Sequence, residues 1–352
     1  MQPLKFTRTA LSVVSLASLI ACASPDHARD RAVHTPLAAG ASFSFGLWGD
    51  MPYQKAGDGP KLPAVLQSIN ASDIAFSIYD GDIKDGSSQC TNDVYTDALT
   101  MFGKMKKPVV YVPGDNEWTD CHRLNNGGMD ALERLNHVRK VMFPTLDSLG
   151  QVPMPLTHQG KLGETYVENT RFGFGSVMFV GINMPGSNNN LVLNAKECSA
   201  KSARKAAHCD AANAEYLARD TANVTWMAES FVQASANKVR GLVLVVQGDP
   251  GFDLPETEEL DESTLPMVSG YRHFMSQLVA QTQAFNGEVL FVHGDTHFFK
   301  LDKPLLQPGQ TLTNFTRLQT FGSPSLHWVK VKVNPASENL FQIEPVMVKQ
   351  PG

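Results

Sequence analysis

Five times along this chain an apolar run stops at a short turn carrying Asp or His, and that recurrence constrains the fold more than any other feature. Phe43 to Trp48 closes as Gly49-Asp50-Met51-Pro52-Tyr53, and Ile74 to Tyr79 runs into Gly81-Asp82-Ile83-Lys84-Asp85-Gly86. Val109 to Val112 ends as Pro113-Gly114-Asp115-Asn116-Glu117-Trp118. Leu242 to Val246 gives Gln247-Gly248-Asp249-Pro250, and Val289 to Val292 gives His293-Gly294-Asp295-Thr296-His297. Runs of this length rich in Val, Phe and Ile read as buried strands. In an α/β sheet the carboxyl ends of the strands share one crevice, so turns far apart in sequence meet there. A single Gly-Asp after a strand is an ordinary turn former or helix cap. Five of them in one chain point to a divalent-cation site.

The remaining segments supply partners for those strands. Val177 to Ile182, Leu318 to Phe321 and Val329 to Val333 are further apolar or alternating runs. Leu62 to Ile69, Val94 to Met105, Met129 to Met142, Ala212 to Val232 and Tyr271 to Phe285 carry apolar residues at three- and four-residue steps, the spacing by which a helix covers a sheet. The order is β-α repeating with extra strands late, which predicts a mixed α/β domain built as a sheet sandwich flanked by helices. No Pro/Ser/Gly linker divides residues 41–352, so they are expected to form a single domain.

Lys5 and Arg8 precede an apolar run from Ala10 to Ile20 that is too short to span a bilayer as a helix, so residues 1–21 read as a signal peptide. The run ends Leu19-Ile20-Ala21-Cys22 and resembles the lipobox of bacterial lipoproteins, which implies cleavage before Cys22 and acylation of that residue. An ordinary secretory signal is the alternative. Ala23, not being aspartate, directs the lipoprotein reading to the outer membrane, facing the periplasm, with the lipid at Cys22 as the only membrane contact. Residues 22–40 would then be a lipidated N-terminus and flexible tether, rich in Ala, Pro, Asp, Arg and His without periodicity. Removing Lys5 and Arg8 takes two positive charges and no negative ones from a formal charge of -5, leaving about -7, which argues against nucleic acid as a partner. Cys90, Cys121, Cys198 and Cys209 remain, an even set expected to pair in an oxidising compartment. Three connectivities are open, with Cys90-Cys121 and Cys198-Cys209 favoured because the first would staple two of the turns and the second brackets a short polar stretch. A zinc site is the rival, and no Cys-x-x-Cys supports it.

Taken in order, the five turns resemble the motifs of the calcineurin-like metallophosphoesterases: Asp-x-His, Gly-Asp-x-x-Asp, Gly-Asn-His-Asp/Glu, a lone His, and Gly-His-x-His. Gly81-Asp82-Ile83-Lys84-Asp85 fits the second in full. The resemblance implies a four-layer α/β/β/α sandwich. It also implies metal-dependent hydrolysis of a phosphate mono- or diester by a metal-bound hydroxide, acting on a phosphorylated small molecule or an envelope component. Position by position, it makes Asp50, Asp82 and His297 ligands of one ion, with Asp82 bridging to a second held by Asp115, Asp295 and either Asp249 or Gln247. Four imidazoles of the pattern are replaced, by Pro52, by Asn116, by the Gln247-Gly248-Asp249 turn and by Asp295. The donors left are almost all oxygen, so one or two ions of Mn²⁺, Mg²⁺ or Ca²⁺ are expected ahead of Zn²⁺ or Fe. Carboxylates crowded in this way repel one another unless a cation sits among them, and Lys84 is one nearby positive charge. Asn116 stands where the family's leaving-group histidine stands and does not readily give up a proton, so His293 and His122 are the substitute donors. Asn183 to Asn190 reads either as a substrate-facing loop or as a turn-rich connection. The function classes that follow are a hydrolase and a non-catalytic metal-binding envelope lipoprotein that keeps the fold without turnover; calcium held for stability alone is a third.

Overall fold

Alternation along the strands decides which residue faces which layer. The computed structural model describes residues 32–38, 40–252, 261–307 and 309–350, so the segments expected as signal peptide and Cys22 anchor lie outside the described residues. Its strands are β1 Val33–Thr35, β2 Phe43–Trp48, β3 Ser77–Tyr79, β4 Val109–Tyr111, β5 Thr157–His158, β6 Thr170–Phe174, β7 Val177–Gly181 and β8 Gly241–Val245. There follow β9 Glu288–His293, β10 Lys300–Asp302, β11 Leu305–Gln307, β12 Gln310–Thr311, β13 Phe315–Gln319, β14 Trp328–Val333 and β15 Phe341–Val346. Among the described residues they form an eight-stranded sheet ordered β1-β6-β7-β8-β9-β13-β10, with β5 beside β6, and a five-stranded sheet ordered β15-β14-β2-β3-β4. β11 and β12 make a separate small pair.

Side chains one residue apart point to opposite faces of a strand, and the apolar runs obey that rule. Phe45 and Leu47 of β2, Val243 and Val245 of β8, and Leu290 and Val292 of β9 meet in one buried cluster between the two sheets. Their neighbours Leu242, Leu244, Val289 and Phe291 point the other way, onto Trp226, Met227 and Phe231 of helix Ala206–Ala236 and Phe274 and Leu278 of helix Arg272–Ala284. The outer face of the five-stranded sheet is covered by helices Leu62–Ala71, Asn92–Phe102 and Ala131–Val141, which bury Ile69, Phe102 and Leu135 against Trp48, Tyr79 and Tyr111. Strands buried on both faces read as continuous apolar runs, which is why they were legible. This is the mixed α/β class expected, with two sheets and helices on their outer faces.

One stretch departs from expectation. Val33–Thr35, inside the segment read as tether, pairs in parallel with Phe172–Phe174 at the sheet edge. Edge pairing needs only free backbone groups, and Gly173 leaves the space that the His34 ring fills, since a Cβ there would lie 2.3 Å from the ring. Both favoured disulfides are formed, Cys90–Cys121 with Cα atoms 5.7 Å apart and Cys198–Cys209 with 5.9 Å. Such bridges belong to an oxidising compartment, extracellular or periplasmic. Among the described residues no helix is long and apolar enough to cross a membrane.

Candidate metal centre

The candidate ligands emerge from the carboxyl ends of parallel strands in both sheets. β2, β3 and β4 are parallel in one sheet and β8 and β9 in the other. Hydrogen bonds join the two sets of ends: Asp295 N donates to Asp50 Oδ1 at 3.2 Å and Asp115 N to Gln247 Oε1 at 3.3 Å. Asp50, Asp82 and His297 converge there, one ligand atom of each lying within 4.8 Å of the others. Both carboxylates are sealed from solvent and the imidazole is partly exposed.

Four candidate ligands sit on left-handed backbone, with φ of 48° at Asp50, 62° at Asp82, 70° at Asp295 and 66° at His297. For a residue with a Cβ that conformation is unfavourable by about 1–2 kcal/mol, and it persists where surrounding contacts enforce it for function. Bare glycine backbone makes the room. A Cβ on Gly294 would lie 2.1 Å from Asp50 Oδ2, one on Gly114 2.2 Å from Asp82 Oδ1, and one on Gly322 2.8 Å from the His297 ring.

The His297 ring is oriented for metal. Its Nδ1–H donates to Ser323 O at 2.7 Å, which leaves the Nε2 lone pair facing the carboxylates. Tyr53 donates its hydroxyl to Asp82 Oδ2 at 2.9 Å and lies 3.2 Å from His297 Nε2. Asn116 reaches the same oxygen, its Nδ2 donating to Asp82 Oδ2 at 2.6 Å while its backbone N–H donates to Oδ1 at 3.0 Å. Beneath them Glu117 Oε1 accepts from Asp82 N, Gly114 N and the Tyr111 hydroxyl at 3.2, 2.7 and 2.8 Å, locking the second turn to the third.

Asp115 and Asp295 approach each other beside this trio, their carboxylates flanking Gly186, where a Cβ would lie 2.5 Å from Asp295 Oδ1 and 2.9 Å from Asp115 Oδ2. The Gln247 amide stands between them. Its Nε2 donates to Asp115 Oδ1 at 3.3 Å and Asp295 Oδ1 at 3.4 Å, and its Oε1 accepts from Gly186 N at 2.6 Å. Asp249 meets this pair through its backbone, its N–H donating to Asp295 Oδ2 at 3.4 Å, while its own Oδ1 accepts from Gly251 N at 3.0 Å and closes the turn. Lys84 is buried with Nζ donating to Asp85 O at 2.8 Å, so its ammonium serves a backbone carbonyl.

No family model matches the chain, and no curated protein matches it. Solved structures do. The chain is similar to one described as the structure of PhoD, at 11% identity over 88% of this chain and 70% of that one, with a TM-score of 0.55. The fold is metallophosphoesterase-like. Two further likenesses score lower. One is GAP50, the anchor in the inner membrane complex of Plasmodium, at 13% identity over 88% of this chain and 90% of that one, TM-score 0.43. The other is the Thermus thermophilus sulfate thiohydrolase SoxB, in complex with glycerol, at 9% identity over 90% and 59%, TM-score 0.41.

Within this metallophosphoesterase-like fold the two histidines expected as proton donors are poorly placed for it. His293 is fully buried against the Phe252 and Phe291 rings, its Nε2 has no hydrogen-bond partner among the described residues, and burial holds its pKa down. His122 lines a neighbouring cleft, where burial first and then Arg204 and Arg123 depress its pKa to about 4, leaving it neutral near pH 7. The residues unread in the sequence are Tyr53, Glu117, Ser187 and Asp80. Tyr53 and Glu117 lie inside the turns and were hidden by their Asp neighbours, whereas Ser187 comes from the Asn-rich loop and donates to Asp115 Oδ2 at 2.7 Å. Asp80, fully buried, accepts from the Thr320 hydroxyl at 2.7 Å.

The carboxylates show the strain of their crowding. Burial, then repulsion from Asp115, raises the pKa values of Asp82 and Asp295 well above normal, while burial raises Asp50 against the pull of His297. Asp120, hydrogen-bonded to Ser187, is pushed up to about 8 by burial and then by Asp115. A carboxyl raised in the folded state from 3.8 to about 8 lends stability that is complete below the first value and lost as pH rises through the second. The depressed histidines act in the opposite sense, but only below 6.5. Urea denaturation of metal-chelated protein should therefore show stability falling by about 2 kcal/mol from about pH 6.5 to about pH 8.5, and a flat or rising profile would contradict these assignments.

Proposed function

We propose that this protein hydrolyses a phosphate mono- or diester with a divalent cation held by Asp50, Asp82 and His297. The observation that carries the reading is that trio itself, two sealed carboxylates and an imidazole of fixed tautomer within 4.8 Å of one another. Left without positive charge, the carboxylates repel one another, so the donor set fits a resident ion. Two carboxylates and one imidazole suit Mn²⁺, and also Mg²⁺ or Ca²⁺, ahead of Zn²⁺. A cation bound there supplies Lewis-acid polarisation of a phosphoryl oxygen and acidifies water. Because the Gln247 amide already joins Asp115 to Asp295, we assign one ion here, with the amide doing the cross-linking that a second cation would do.

The residues divide the remaining work. Tyr53, whose phenol burial keeps protonated, and the Asn116 amide fix the Asp82 carboxylate and stand at the edge of the trio as donors for developing negative charge. Asn116 stands in place of the family's leaving-group histidine, so esters of acidic alcohols should turn over much faster than esters of ordinary ones. The calcineurin-like version of the fold, export by the N-terminal segment and a phosphorylated small-molecule or envelope substrate complete the reading. A non-catalytic metal-binding lipoprotein is the second reading, favoured by the same lack of a proton donor.

Purified protein assayed with Mn²⁺, Mg²⁺ or Ca²⁺ should cleave 4-nitrophenyl phosphate or its bis ester, bind one equivalent of metal by elemental analysis, and show a steep fall in rate as the leaving group becomes more basic. One bound ion with no turnover on any aryl ester would select the second reading. Two bound ions would reject the role given to Gln247.

A further inference from the structure

Beside the trio opens a cleft of about 840 Å³, within the range of small-molecule sites. It adjoins the metal centre at Ser187, which bonds to Asp115, and at Gly86, where a Cβ would lie 2.7 Å from Asn116 Oδ1 and 3.6 Å from Arg123 Nη1. The cleft has two characters. Arg123, Lys201 and Arg204 bring positive charge to its lining. Arg123 is held by Asp120 and also donates to the Ser187 hydroxyl at 3.2 Å, while Arg204 is engaged through Nε with Cys198 O at 3.1 Å and pairs with no carboxylate among the described residues. The other lining anion, Glu197, turns to Leu193 N at 3.0 Å. Against this charge Leu193, Leu265 and Met267 line the same space, and Leu193 and Met267 are large apolar side chains left in water.

We propose that this cleft is the subsite for the organic part of the ester, and that it takes an amphiphilic anion: a second negatively charged group held by Arg123 and Arg204, on an apolar body lying along Leu193, Leu265 and Met267. Guanidinium groups suit a carboxylate, sulfonate or phosphate through paired N–H donors. The loop carrying Ser187 is a firm wall, because Arg219 ties it through Asn183 O at 3.0 Å and Asn189 O at 2.9 Å.

The proposal rests on the phosphoesterase reading for what the cleft feeds, but its test reads binding without turnover. Titration calorimetry of the full chain with 2-naphthalenesulfonate, chelator present, should show binding much tighter than that of methanesulfonate. It should weaken by about tenfold or more in the Arg123→Gln, Arg204→Gln double variant. Met267→Glu, a change at an exposed position that leaves packing intact, should weaken it likewise. Equal affinity of wild type and both variants, or of the two sulfonates, overturns the proposal even where hydrolysis is observed. Displacement of the probe by dihexanoyl phosphatidate identifies a lipid as the source of this chemistry, and displacement by naphthyl phosphate alone identifies a soluble ester; either supports the subsite.

Discussion

Asp82→Asn is expected to abolish hydrolysis and metal response together while leaving the metal-free protein at least as stable as before. Asp82 is the most heavily contacted carboxylate of the trio, accepting from Tyr53, from the Asn116 side chain and from Asn116 N. Its charge is also the one most opposed by its surroundings, through burial and then Asp115 and Glu117. Removing that charge removes a ligand, and polarisation worth several kcal/mol goes with it, so kcat/KM should fall by about 10³ or more. The same change relieves repulsion in the chelated protein. Differential scanning calorimetry should therefore give a variant whose melting temperature with chelator equals or exceeds that of wild type, and which no longer rises on adding Mn²⁺. A variant that melts lower yet still responds to Mn²⁺ would show that Asp82 serves packing, and the proposed centre would have to be abandoned.

Removing the Cys90–Cys121 bridge should produce the largest loss of stability. It closes a loop with a sequence separation of 31, for which chain entropy gives about 3–4 kcal/mol. The effect reaches the site because the two sulfurs lie 3.6 and 3.7 Å from Asn116 O, directly behind the residue that holds Asp82. Cys90→Ser with Cys121→Ser should thus lower both the urea midpoint and the affinity for Mn²⁺. The Cys198–Cys209 bridge, with a separation of 11, should be worth about 3 kcal/mol and leave metal affinity alone, since its chain segment borders the cleft. Equal effects of the two bridges on metal affinity would show that neither supports the centre specifically.

Strands and covering helices were legible where burial is two-sided or periodic, as in β8, β9 and helix Arg272–Ala284. β6 and β15 were not read. β6, Thr170–Phe174, contains Arg171, whose guanidinium stacks 3.7 Å over Trp226, so its charge hides a buried strand. β15 holds Pro345 and alternates weakly at a sheet edge, where pattern and propensity both fade. At the site, the second motif placed Asp82, and the turns placed Asp50 and His297. The part of Asp249 could not be read from the sequence, because a Gly-Asp turn looks the same whether its carboxylate faces a metal or accepts from its own loop, as Asp249 Oδ1 does from Gly251 N.

By itself the sequence determined the doubly buried strands, the turns at their ends and the residue types collected there, because apolar periodicity and turn chemistry are local. Tertiary structure alone decided which turns cooperate. That choice depends on side-chain direction across a gap between two sheets: the Asp50, Asp82 and His297 donors turn inward together, Gln247 fills the space between Asp115 and Asp295, and His293 is shut beneath Phe252 and Phe291. No run of neighbouring residues encodes that geometry, because Asp50 and Asp82 meet only through the pairing of β2 with β3, and His297 and Gln247 reach them only where the two sheets pack together.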